Sequence, residues 1–76
     1  MYAYTFVYKC RRCGEKYNGA LTTNKILATT ILFRVLRDGI VLDCGIPVAK
    51  EDIHNCADGS RGVSDIIGLE AREEGE

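Results

Sequence analysis

Cys10-Arg11-Arg12-Cys13-Gly14 is the segment of this 76-residue chain whose residue types and spacing could most directly do chemistry. Two thiolates three positions apart in a tight turn can aim both sulfurs at one centre. A tetrahedral zinc ion needs four such soft or borderline ligands, drawn from at least two segments. Gly14 suits the position after the second sulfur, where a left-handed backbone penalises any residue with a Cβ. In such a turn, backbone N–H groups can face the thiolates and stabilise their charge.

The second half of a site must come from Cys44, His54 and Cys56. His54-Asn55-Cys56 is compact and runs into Asp58-Gly59, so a second turn could deliver one imidazole nitrogen and one sulfur. The preferred ligand set is therefore Cys10, Cys13, His54 and Cys56, holding one structural Zn2+. Cys44 falls in phase with Ile40 and Leu42 on an expected core face, where an unpaired cysteine behaves as a small hydrophobe. It stays open as a replacement for His54 or Cys56. A centre with four protein ligands has no water position, and such zinc sites are structural rather than catalytic.

Enzyme readings fare poorly. A dithiol oxidoreductase places Cys-x-x-Cys at a helix N-terminus within a longer βαβ unit, whereas Cys10 follows a strand-like run near the chain start. The zinc-deaminase pattern is absent, because Asn55-Cys56 follows His54 and no proline precedes Cys10. No catalytic residues and no organic cofactor are expected.

Size explains why a staple would matter. A domain this short buries only about 60% of the surface its unfolded chain exposes. Chains of this size commonly need a metal or disulfide. Apolar residues at 46% and charged residues at 28% place the chain among folded rather than disordered sequences. Met1 to Val7 lacks a basic leader, and no apolar run approaches the roughly 20 residues of a membrane span. The expectation is a cytoplasmic protein without membrane contact, a compartment that favours metal ligation over disulfides.

The net charge of −1 argues against a strongly electrostatic nucleic-acid binder. Its distribution is uneven, however. Lys9, Arg11, Arg12 and Lys16 crowd around the first cysteine pair. This basic rim could contact phosphates, with Tyr8 or Tyr17 available to stack on a base. Glu70, Glu73, Glu74 and Glu76 make residues 70–76 an acidic tail, expected to fray beyond a single domain spanning residues 1–69.

The elements that must position these groups follow from periodicity. Residues 2–9 are rich in aromatic and β-branched types, which predicts a strand with Tyr2, Tyr4, Phe6 and Tyr8 on one face. Glu15 to Asn18 could return antiparallel to it and end at Gly19. Thr23 to Arg37 is read as a helix with a stripe of Leu27, Ala28, Ile31, Leu32, Val35 and Leu36. Thr22, Thr23 or Asn24 could serve as its N-cap, and Gly39 lies near its C-cap. A strand would also line up Leu27, Ile31, Phe33 and Val35, but the run is long for one in so small a domain. The helix leaves Ile26 and Phe33 on its polar side, where they could dock a partner. Ile40, Leu42 and Cys44 alternate after the Asp38-Gly39 turn, and Val63 to Leu69 is read as a short apolar segment of about one helical turn.

Cys10-x-x-Cys13-Gly14 after an aromatic strand resembles the first knuckle of zinc-ribbon and rubredoxin-like families. The stretch His54-x-Cys56-x-Asp58-Gly59-x-x-Gly62-Val63-x-Asp65-Ile66-Ile67-Gly68 resembles short phage and prophage proteins that pair it with an N-terminal Cys-x-x-Cys. Zinc ribbons usually carry two Cys-x-x-Cys knuckles, so His-x-Cys in second place is a departure. The resemblance implies an α+β, zinc-ribbon-like domain with a short antiparallel sheet and one central helix. It further implies a bacterial or phage protein contacting nucleic acid or a nucleic-acid-handling complex. The alternative is a protein-protein adapter, docking through Ile26, Phe33 or the acidic tail, or a regulatory phage protein, in either case with a purely structural zinc site.

Overall fold

The structure is a computed structural model that describes residues 2–43 and 46–73. Along the chain come β1 (Tyr2–Cys10), β2 (Lys16–Thr22), α1 (Lys25–Asp38), β3 (Ile40–Asp43), β4 (Ile46–Ala49), β5 (Glu51–Asn55) and β6 (Arg61–Glu73). Four strands form an antiparallel sheet in the order β2-β1-β6-β5, and β3 with β4 forms a separate hairpin. Among the described residues, one helix and two antiparallel sheets make the class α+β, as the sequence implies.

The helix is where periodicity suggests it. Asn24 caps its start, accepting a bond from the Leu27 N–H at 3.0 Å, and Thr22 Oγ1 in turn accepts from the Asn24 N–H. Gly39 ends it in a left-handed conformation at φ 89°, donating its N–H to the Val35 carbonyl, a geometry that favours glycine. Ala28, Ile31 and Val35 are buried, while Leu36 is half exposed despite its place in the expected stripe. Ile31 and Val35 join Phe6, Tyr8, Val41, Val48 and Ile66 in the core.

Strand β1 departs from the simple alternation. Tyr2 is exposed, Ala3 and Thr5 are buried, and burial then passes to Phe6, Tyr8 and Cys10. The cause lies in its neighbours, each of which inserts one residue opposite this point. The β2 register jumps from Leu21 to Asn18 between Thr5 and Val7, and the β6 register from Gly68 to Ile66 between Val7 and Tyr8. Bulges of this kind increase local twist, which curls the sheet. Strand β2 also runs past Gly19 to Thr22. A Cβ at Gly19 would lie 2.8 Å from the Tyr8 ring, so glycine is what lets that ring lie across β2.

Three other expectations are corrected. Ile40 and Leu42 point outward, 53% and 76% exposed, while Val41 enters the core. Val41 pairs with Val48, also buried, so the hairpin presents these two to the helix side. Cys44, assigned by phase to the same face as Ile40 and Leu42, lies outside the described residues. Val63 to Leu69 is not helical but the first half of β6, which alternates and pairs with both β1 and β5. Residues 70–73, where the charge run suggests a frayed tail, continue β6 against β1, with Glu70 opposite Thr5 and Glu73 opposite Tyr2.

Candidate metal centre

Because β1 and β6 run antiparallel, the turn that leaves β1 and the turn that enters β6 lie at the same end of the sheet. Cys10 sits opposite Ser64 in that pair, and the Arg11 N–H donates to the Val63 carbonyl at 2.9 Å. The first turn closes with the Gly14 N–H on the Cys10 carbonyl and the Cys10 N–H on the Glu15 carbonyl. Gly14 has φ 79°, the left-handed backbone that its place after Cys13 suggests. The second turn closes with the Cys56 N–H on the Ser60 carbonyl and the Gly59 N–H on the Cys56 carbonyl. Asp58 Oδ1 accepts from both the Ser60 backbone and its hydroxyl.

These two turns bring Cys10, Cys13, His54 and Cys56 together, with one ligand atom from each lying within 4.8 Å of all the others. Cys10 and Cys56 sulfurs are 3.8 Å apart, and His54 Nδ1 lies 3.5 Å from Cys13 Sγ and 3.8 Å from Cys56 Sγ. A tetrahedron built on ordinary zinc–sulfur and zinc–nitrogen bonds has edges of about 3.8 Å between sulfurs and about 3.5 Å between sulfur and nitrogen. These three spacings therefore match ligands around a common ion. The sulfur separation is far too long for a disulfide, whose sulfurs sit about 2.05 Å apart, and Cys10, Cys13 and Cys56 are free thiols.

The electrostatics of the cluster point the same way. The Cys13 backbone N–H faces the Cys10 sulfur and, with help from the Arg12 N–H and against the effect of burial, draws that thiol down to about 6. Burial pushes the Cys56 thiol up to about 11, reinforced by the Cys13 and Cys10 thiols beside it. One sulfur is prepared as an anion and its neighbour resists becoming a second one. A cation at the centre resolves that conflict, since metal binding requires thiolates and releases their protons.

His54 is held on two sides. Its side chain is 14% exposed, and its Nε2 lies 3.5 Å from Glu15 Oε1. The Tyr17 ring stacks on the imidazole at 5.0 Å between centroids, and Tyr8 stacks on Tyr17 at 5.7 Å. Tyr17 donates to Asp52 and Tyr8 to the Ala49 carbonyl. Residue spacing does not disclose Glu15 in this place. Nor does it disclose the reason for Gly62, the cross-strand partner of His54, which lies against the Cys10 sulfur. The signal for Gly62 was its presence in the His54-to-Gly68 motif.

The basic rim is largely engaged. Arg11 grips Asp65 through two bonds of 2.6 Å and reaches Glu51 at 2.8 Å, which holds the Asp65 carboxyl below its usual range. Arg12 Nε donates to Ser60 Oγ at 2.7 Å, tying one turn to the other. Lys9 and Lys16 are exposed and lie opposite each other across β1 and β2. Lys9, Arg11 and Arg12 border a shallow groove beside the first turn, from which Lys16 is not a lining residue. Among the described residues no helix is long and apolar enough to cross a membrane. Comparison with known proteins finds no matching family model, curated relative or solved structure.

Proposed function

We propose that the protein is a zinc-stapled binding module in which Cys10, Cys13, His54 and Cys56 hold one structural Zn2+. The observation that carries this reading is the convergence of three sulfurs and one imidazole nitrogen within 4.8 Å. Four protein ligands complete a tetrahedron and leave no position for a reacting water, so the ion would serve the fold and not catalysis. The β1-β2 and β5-β6 turns would be joined through it, closing the end of the sheet opposite the β1 N-terminus.

With the metal assigned to structure, function falls to the surface. The engagement of Arg11 supports protein docking over nucleic-acid contact, because its planar fork is occupied by Asp65 and Glu51 instead of facing outward to a phosphate. Ile26 and Phe33, about two helical turns apart, stand 79% and 68% exposed on the side of α1 that faces away from the core, and together they offer an apolar surface for a partner. We assign the protein to the adapter class, working in the cytoplasm. Native mass spectrometry with and without chelator tests the metal: one zinc per chain is expected, and metal-free protein that keeps native NMR dispersion would overturn the proposal.

A further inference from the structure

Histidine offers two ligating nitrogens, and the one that binds a metal is set by what the other one meets. In His54, Nδ1 faces the Cys13 and Cys56 sulfurs at 3.5 and 3.8 Å, while Nε2 faces Glu15 Oε1 at 3.5 Å. Rotating the ring would exchange these environments. Two neighbours oppose that rotation. Tyr17 lies flat on the imidazole, 18° from parallel, and is itself anchored to Asp52, two residues before His54 on β5. Glu15 belongs to the first turn, where its carbonyl accepts the Cys10 N–H at 2.9 Å, so its place relative to the sulfurs is fixed by the same backbone that presents them.

We infer that Glu15 and Tyr17 are positioning residues of the metal centre, which hold His54 with Nδ1 toward the ion and an Nε2–H toward the Glu15 carboxylate. This rests on the metal reading above and adds to it. A carboxylate behind a ligating imidazole fixes the tautomer and makes the bound nitrogen more basic. The stacked ring restricts the swing that Glu15, from one edge, leaves open. The two residues thereby act on the ion without touching it.

The test uses zinc-loaded protein. Two-bond proton–nitrogen correlation spectra of the parent should show zinc on Nδ1 and a proton on Nε2. Competition against a chromophoric chelator should show Glu15→Ala binding zinc about tenfold more weakly, at the lower end of the range for such partners because the Glu15 side chain is 59% exposed. Glu15→Gln keeps an acceptor oxygen and should recover most of that loss. Tyr17→Leu should weaken binding by a similar factor, whereas Tyr17→Phe keeps the stack and should stay within about twofold. Ligation through Nε2 in the parent would overturn the inference, as would unchanged affinity in both Glu15→Ala and Tyr17→Leu. A loss in only one of them removes the other residue from the assignment. If Tyr17→Leu does not fold, Glu15→Ala decides. Parent protein that binds no zinc would sink the metal reading itself, whereas one bound zinc on Nε2 sinks only this inference.

Discussion

Gly62 and Cys10 approach so closely that a side chain on the first would strike the second: a Cβ at Gly62 would lie 2.7 Å from Cys10 Sγ and 2.8 Å from Arg12 Cβ. Gly62 is also the cross-strand partner of His54, so two ligands flank it. Alanine there must displace either the first turn or β6. Gly62→Ala is therefore expected to weaken zinc binding by at least about tenfold, as misplacing a ligand does. Gly59→Ala provides the contrast. Gly59 has φ 90° but open space around it, so that change strains the turn by about 1 kcal/mol without pressing on a ligand. Equal zinc affinity in the parent and Gly62→Ala would show that the turn yields freely.

Removing the metal should unfold the domain. Structural zinc contributes roughly 10–16 kcal/mol of apparent binding energy in small finger peptides near neutral pH, more than the whole stability of many small domains. The core cluster lies between α1, the β3-β4 hairpin and the middle of the sheet, while the ligands sit beyond it at the sheet's end. Chelator titration followed by circular dichroism is expected to show one cooperative loss of structure, reversed by added zinc. Unchanged ellipticity after complete metal removal would show that the core suffices.

The pH dependence of metal binding has a sign. Cys10, drawn down to about 6, is already ionised at neutral pH, but Cys56, pushed up to about 11, must surrender its proton when the ion binds. Zinc affinity should therefore rise steadily from pH 7 to 9, with Cys56 among the thiols that release a proton on binding. Calorimetric titrations in buffers of different ionisation enthalpy measure the released protons, and a pH-independent affinity would contradict this assignment.

Much of this architecture is legible in the residues, and the misreadings have physical causes. Cys10, Cys13, His54 and Cys56 could be grouped because ligand chemistry constrains local spacing within each turn. The helix was legible because Asn24 and Gly39 punctuate a 3.6-residue stripe. Ile40 and Leu42 were misplaced because short apolar runs fit either phase, and only pairing with Val48 selects Val41. The charge of the tail suggests solvent, and residues 70–73 are exposed, but pairing with β1 keeps them in a strand instead of leaving them frayed. Glu15 and Gly62 owe their roles to contacts between distant segments, which no local pattern records.

The basic rim offers a test of partner class. From the turn after β1, Arg11 neutralises Asp65 on β6 and Glu51 on β5, so Arg11→Glu with Arg12→Glu should introduce repulsion at the turns and lower the thermal midpoint. A phosphate-binding rim would instead show its main effect in nucleic-acid affinity, which falls steeply with salt. The parent is expected to show no salt-sensitive binding to single-stranded DNA or RNA by fluorescence anisotropy. Tight binding lost in the double variant would return the basic rim to a recognition role.

Cys44 provides the sharpest check on the ligand set, because its thiol is the one alternative that the sequence leaves open. The three-sulfur, one-nitrogen cluster is complete without it. Cys44→Ser should thus retain one zinc per chain with affinity near that of the parent. Cys56→Ser removes a buried ligand and should lose the ion together with the fold. Cobalt makes the ligand count visible, since each thiolate adds charge-transfer intensity in the near ultraviolet. The parent and Cys44→Ser should share one spectrum. A weaker sulfur band in Cys44→Ser would mean that this thiol, not one of the assigned ligands, completes the tetrahedron.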